Sequence, residues 1–274
     1  MTIFSIFHRF LWVFGLVFFG VVQAQTPAVF LLGVAPHTSA RVILEMYQPL
    51  RLQLEKTLNM PVEVVTAPDF TEFARRMLNQ KYDMVVTTGH QARLGQTDAG
   101  YSPLLTYRAD FRAVAVVAGN SPYKTVRDLK GKSVLGLSPS SLVTLWGQHW
   151  LTQNGIRKPV RYVSASDSVA RLVLAGEAAA GFISLANYQN LASDVQSRLR
   201  FLVISEPMAG RVYMLNSHQL ARKDAVDAAL SSFADSAQGK AYFEKYKLEG
   251  YRKLKPQELE SMAPFAREVR RTLQ

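Results

Sequence analysis

Apolar positions along this chain alternate between short continuous runs and stripes at helical spacing. Ala28 to Val34 is an apolar run that ends in Gly33-Val34-Ala35-Pro36, the pattern of a buried strand followed by a loop. From Arg41 to Leu58, Val42, Met46, Leu50, Leu54 and Leu58 recur every helical turn while Arg51, Glu55 and Lys56 fall on other faces; Pro61 stops the pattern. Val62 to Thr66 reads as a second strand. Asp69 is placed to cap a helix running to Leu78, and Asp83 to Thr87 reads as a third strand. Strands alternating with helices predict a parallel sheet.

A second unit of the same kind comes next. Arg112 to Ala118 is a strongly apolar strand, Thr125 to Leu129 a short helix closed by Gly131, and Ser133 to Leu137 another strand. Ser138 to Ser141 leads into a helix reaching Leu151. Arg161 to Ser164 is strand-like, Asp167 to Ala175 is helical and stops at Gly176, and Ala180 to Ser184 and Phe201 to Ser205 are strands. From Lys223 to Gln274 the pattern is mostly helical. Two αβ units with a late return segment imply two lobes flanking a cleft: residues 25–107 open the first, 108–204 form the second, and 205–274 return to the first. The segments near Leu104 to Asp110 and Phe201 to Pro207 are the expected hinge.

The N-terminal segment is different. Phe10 to Val22 is uninterruptedly apolar or Gly, preceded by Arg9, with Val22 and Ala24 as small residues where a signal peptidase cuts. The run falls short of the roughly 20 residues that span a bilayer. Residues 1–24 read as a cleaved export signal, with an uncleaved anchor as the alternative; either way the protein is exported, which points to the periplasm. The formal charge of +11 loses one unit with Arg9. Such a charge favours an anionic partner, and export argues against nucleic acid and for a soluble anion or envelope lipid. The absence of cysteine excludes disulfides, thiolate metal sites and a cysteine nucleophile.

Recognised catalytic motifs are missing: there is no Gly-x-Ser-x-Gly elbow, phosphate-binding Gly-rich loop with Lys-Ser/Thr, or His-Glu-x-x-His. His37, His90, His149 and His218 are too scattered to predict a metal site, and no cofactor is expected. His37 and His90 each follow a strand of the first lobe, where ligands of open αβ sheets gather; an idle loop histidine is the alternative. The best local anion site is Ser138-Pro139-Ser140-Ser141, where free amides and the helix dipole face outward and Ser140, Ser141 and Thr144 add hydroxyls. Simple N-capping is the competing reading. Arg267, Arg270 and Arg271 read as a solvated helix end, and Tyr242, Phe243 and Tyr246 as core.

These segments together resemble a known family. Gly33-Val34-Ala35-Pro36, Tyr47-Gln48-Pro49-Leu50, Ala67-Pro68-Asp69-Phe70, Tyr82-Asp83-Met84-Val85, Asp128-Leu129-Lys130-Gly131-Lys132-Ser133-Val134 and Ala175-Gly176-Glu177 are similar, in order and spacing, to the phosphate/phosphite/phosphonate-binding (PhnD-type) proteins of ABC importers. The resemblance implies a class II periplasmic binding protein, α/β, with two lobes, a hinge and a central ligand cleft. It places Phe70 and Thr87 near aromatic ligand positions and Ser140 and Ser141 at a Ser/Thr-rich helix start, where Leu142 and Val143 replace a further Ser/Thr and Gly. Ser166 stands where many phosphonate binders have a pocket His, and Ala179 replaces a common Asp. Arg211 falls where aminophosphonate binders hold the ligand's amine with an acid.

The candidate ligand-binding residues from the first lobe are Thr38, Phe70, Thr87, Thr88 and His90. Those after the crossover are Ser140, Ser141, Thr144, Ser166 and Arg211. An arginine offers a fork to an oxyanion and repels an amine, so the expected ligand has no cationic end; an ion pair of Arg211 with Glu206 is the alternative. The expected function is that of a non-enzymatic, monomeric solute-binding protein serving an ABC permease. A role feeding a sensor kinase, an exported enzyme on this fold, and ferric-ion binding are the alternatives.

Overall fold

The computed structural model describes residues 28–157 and 159–274, so the signal expected at 1–24 lies outside the described residues. The chain opens with β1 (Phe30–Val34), α1 (Ala40–Leu58), β2 (Val62–Val65), α2 (Phe70–Leu78), β3 (Met84–Thr88), α3 (Gly89–Asp98) and β4 (Ser102–Tyr107). It then crosses to β5 (Ala113–Ala118), β6 (Val134–Gly136), α4 (Leu142–Gln153), β7 (Arg161–Tyr162), α5 (Ser166–Leu174), β8 (Ala180–Ser184), α6 (Leu185–Gln189), α7 (Ser193–Gln196) and β9 (Leu199–Ile204). It returns with β10 (Arg211–Leu215), α8 (Lys223–Asp235), α9 (Ala237–Lys245), β11 (Tyr251–Arg252) and α10 (Ala263–Leu273).

Two sheets result, one in each lobe: β11-β4-β10-β3-β1-β2 and β7-β6-β8-β5-β9. β1 pairs in parallel with β2 and β3, as the strand–helix alternation predicts. The returning β10 inserts antiparallel between β3 and β4, which puts Arg211 opposite Thr88. In the second sheet β6 runs parallel to β7 and β8, while β5 is antiparallel to β8 and β9.

Local chemistry explains the element ends. The Asp69 carboxylate accepts from the Thr71 and Glu72 amides at 2.8 and 2.9 Å, starting α2 at Phe70. Ser39 caps α1, which buries Ile43, Met46, Tyr47, Leu50 and Leu54. That helix ends before Pro61, because Asn59 adopts the left-handed conformation at φ 50°. α10 does not end in a simply solvated basic cluster: the Arg270 guanidinium grips Asp98 at the end of α3 with bonds of 2.6 and 2.8 Å. Its apolar face, Ala266 and Val269, joins Ala74 and Leu94 of the first lobe and Leu145 of the second in one cluster.

The lobes are joined by two crossings, residues 108–112 and 205–210. Both are narrower than the segments expected from sequence, since β4 runs to Tyr107 and β9 to Ile204 as sheet strands. The crossings touch at the Phe111–Met208 bridge, where the Met208 amide donates to Phe111 O at 2.9 Å, and through Arg112 Nη1, which donates to Ser205 O at 3.0 Å. Gly89, at the start of α3, lies so close to this crossing that an added Cβ would sit 2.4 Å from the Ala209 Cβ.

Candidate functional site: a cavity between the lobes

The first turns of α3 and α4 face each other across the cleft, and two groups of polar residues meet there. One group is fully satisfied. Ser140, without exposed surface, is held by three first-lobe side chains. Its hydroxyl pairs with Thr71 Oγ1 at 2.9 Å, and its carbonyl accepts from His90 Nε2 at 3.0 Å and Gln91 Nε2 at 3.4 Å. Because a carbonyl only accepts, His90 carries its proton on Nε2, and Nδ1 accepts from the Thr88 hydroxyl at 3.2 Å. Gln91 is fixed in turn, donating to Phe70 O and accepting from Thr87 Oγ1. Burial pushes the His90 pKa down to about 4, against the bond to Ser140 that favours the proton. A further strut, Asn187 Nδ2 to His37 O at 3.0 Å, ties α6 to the loop after β1.

The other group is unsatisfied. His37, Phe70, Thr88 and Arg211 from the first lobe and Leu137, Ser141, Leu142, Val143, Ser184 and Asn187 from the second enclose a cavity, with Phe111 of the crossing as its floor. Its free space is about 20 Å³, room for one water-sized group in this closed arrangement. No carboxylate lines it. Two residues of its wall each carry a polar atom sealed from solvent without a hydrogen-bond partner: Arg211 Nη1 and His37 Nε2. Among the described residues Arg211 makes no ion pair, with Glu206 or any other acid. Its guanidinium lies 6.0 Å above the Tyr107 ring and backs onto buried tyrosines whose hydroxyls bond to one another: Tyr107 to Tyr213 and to Tyr242 at 2.6 Å, and Tyr251 to Tyr213 at 3.0 Å. Burial raises the pKa of Tyr107, Tyr213 and Tyr242 well above normal, so this cluster supplies no negative charge.

The N-caps of α3 and α4, Thr88 and Ser141, both lie on the cavity wall, and neither side chain caps its own helix. The amides of the first turn of α4 therefore remain donors directed at the cleft, and the positive ends of two helix dipoles converge there.

The candidate residues sort into three places. Phe70, Thr88, Ser141 and Arg211 line the cavity. Thr38 and Ser166 line an adjoining outer groove of about 230 Å³ that shares His37 and Asn187 with the cavity, and Ser166 Oγ accepts from Asn187 Nδ2 at 2.8 Å. Thr87, His90, Ser140 and Thr144 are buried beside the cavity without lining it. The first three belong to the bonded group that holds the lobes together. Thr144 Oγ1 accepts from the Leu137 amide at 2.8 Å and so fixes the loop ahead of α4. Asn187, Ser184 and Phe111 carried no sequence signal as site residues. The one clue was that Ala180 to Ser184 reads as a strand, which puts the next few residues at the carboxyl end of a sheet, where ligands gather. His37 is a wall residue that sequence reading singled out only as a histidine following a strand.

Two αβ lobes joined by paired crossings and closing on an interlobe cavity define a solute-binding protein. Residues 32–259 match the family described as ABC transporter, phosphonate, periplasmic substrate-binding protein, and the chain belongs to that family. No curated protein sequence matches the chain. Among solved structures it is similar to PhnD1 from Prochlorococcus marinus in complex with methylphosphonate, at 15% identity and a TM-score of 0.79, over 89% of this chain and 99% of that one. It is also similar to a binding protein component of an ABC phosphonate transporter from Pseudomonas aeruginosa, at 15% identity and a TM-score of 0.77, over 90% and 88% of the two chains. A third, XAC2383 from Xanthomonas citri bound to ATP, is 19% identical with a TM-score of 0.74, over 90% and 99%. At these identities the likeness is one of fold.

Proposed function

We propose that this protein captures a small oxyanion lacking any cationic group in the cavity between its lobes, and presents it to an ABC permease in the inner membrane. The observation that carries the reading is Arg211: a cation with one nitrogen sealed in the cavity wall and no carboxylate to neutralise it. A half-buried cation without a counter-ion is destabilising, and an anionic ligand removes that cost. The lobes would part, an oxyanion would meet Arg211 on the first lobe and the α4 amides and Ser141 hydroxyl on the second, and the contacts to Ser140 would close over it. Only the closed form makes both sets of contacts, so ligand shifts the population toward it. The outer groove beyond His37 and Asn187 gives a substituent somewhere to lie.

Membership of a phosphonate-binding family and the methylphosphonate complex of a similar fold make phosphonates, phosphate and phosphite the first candidates. Thermal unfolding with each anion in turn tests the reading. A ligand at 100 times its Kd adds about 2.7 kcal/mol of stability. Ethylphosphonate is expected to raise Tm more than 2-aminoethylphosphonate does; the reverse order would sink the claim that the ligand has no cationic end.

A further inference from the structure

The two unpartnered atoms in the cavity are chemically opposite. Arg211 Nη1 can only donate. His37 Nδ1 lies 2.8 Å from Ala35 O, and because that carbonyl can only accept, the proton of the neutral ring sits on Nδ1. Nε2 is therefore a bare lone pair in the wall of the same cavity as Arg211. We propose that His37 Nε2 is a fixed hydrogen-bond acceptor that makes this site select oxyanions still carrying an acidic O–H, such as a hydrogen phosphonate or hydrogen phosphate, over fully ionised ones such as sulfonates and sulfate. This inference rests on the oxyanion reading and names its substrate class.

The ring stays an acceptor because it stays neutral. Burial depresses its pKa well below normal and the charge of Arg211 depresses it further, against the bond to Ala35 O. The charged and titratable groups that face it are Arg211 from β10, Tyr47 from α1, in edge contact at 6.5 Å between ring centroids, and Asp167 from α5 across the outer groove. A bound monoanion of a phosphonate would then place P–O⁻ on Arg211 and P–OH on His37 Nε2. A sulfonate of the same shape has no hydrogen to offer, so one of its anionic oxygens would face the lone pair. An acceptor built to receive a ligand hydroxyl rejects the analogue lacking it, because a desolvated polar atom stays unpaired. An ammonium could also donate to Nε2, but it would lie beside the Arg211 charge.

Calorimetric titration of the purified protein with methylphosphonate and methanesulfonate separates the possibilities. Methylphosphonate is expected to bind at least tenfold tighter below its second ionisation. Its affinity is expected to fall about tenfold per pH unit above that point, while any methanesulfonate binding stays level. His37→Phe is expected to bring the two anions within about threefold of each other. Equal affinities in the unmodified protein, or a methylphosphonate affinity that does not change through its second ionisation, overturn the proposal while leaving oxyanion binding intact. If His37→Phe does not fold, the pH series on the unmodified protein decides. Binding of neither anion overturns the oxyanion reading and this inference with it, and binding undiminished by Arg211→Met overturns the placement of ligand beside Arg211 and His37.

Discussion

Two clusters of polar side chains sit side by side in the cleft, the one around Ser140 buried and the one around Arg211 and His37 half-buried, and they differ above all in pairing. Around Ser140 every donor has an acceptor: Thr71, His90 and Gln91 bind it, and Thr87, Thr88 and Phe70 O complete the set. Around Arg211 and His37 the donor and the acceptor are each left over. Buried polar groups in native proteins are nearly all paired, so a satisfied cluster reads as structure and an unsatisfied one asks for a partner from outside. The first cluster bonds one lobe to the other; the second is where we propose that ligand binds. Both lie at helix N-termini and both are rich in hydroxyls and imidazole, so composition does not separate them. Pairing does.

The contrast can be broken most severely at Arg211. Arg211→Glu is expected to lower methylphosphonate affinity by more than 1,000-fold in calorimetry, because it replaces the attractive charge by a repulsive one. The satisfied cluster behaves otherwise. His90→Leu with Gln91→Leu is expected to weaken every anion by about tenfold without altering their order, since those bonds favour the closed form and do not touch ligand; small-angle scattering would register a larger fraction of open molecules. A changed order of anions would move these residues into the pocket.

Smaller effects concern stability. A histidine whose pKa is depressed on folding contributes stability that is present above the unfolded value of 6.5 and is lost as pH falls toward the folded value of about 4. For His90 that loss is on the order of 3 kcal/mol across the window, and His37 acts in the same direction. Tm is expected to drop between pH 6.5 and 4, less steeply in His90→Gln; an unchanged slope in that variant would show that His90 is not the buried neutral group described. Thr144→Val is expected to cost about 1–3 kcal/mol, by leaving the Leu137 amide unpaired, with anion affinity unchanged.

Much of the fold was legible in the sequence, because its strands are continuous apolar runs and its first helices begin at side-chain caps, Ser39 and Asp69. Asp69 marks the start of α2, and the run from Ala180 to Ser184 coincides with β8. The sequence does not announce α3: Gly89 to Asp98 has a weak apolar stripe and holds its place through tertiary contacts with α10 and with Ala209. It does not announce β10 either, whose course between β3 and β4 depends on strands far away in the chain. In the cleft, residue type and position after a strand pointed to the start of α4, which does meet the first lobe there. What they could not convey was orientation. Ser140 and Ser141 are adjacent and alike, yet one hydroxyl is spent on Thr71 and the other faces the cavity. Asn187 and Ser184 enter only because the second sheet brings α6 against the loop after β1.

The central claim is that an unpaired Arg211 is the seat of anion capture, and a pair of calorimetric titrations of methylphosphonate tests it most directly, one into the unmodified protein and one into Arg211→Met. The variant deletes a half-buried cation that has no acidic partner and so should unfold at the same temperature or higher. The predicted result is a Tm that does not fall, with affinity reduced 10- to 100-fold by loss of a charge-assisted bond. Equal affinities in a folded variant would contradict the account.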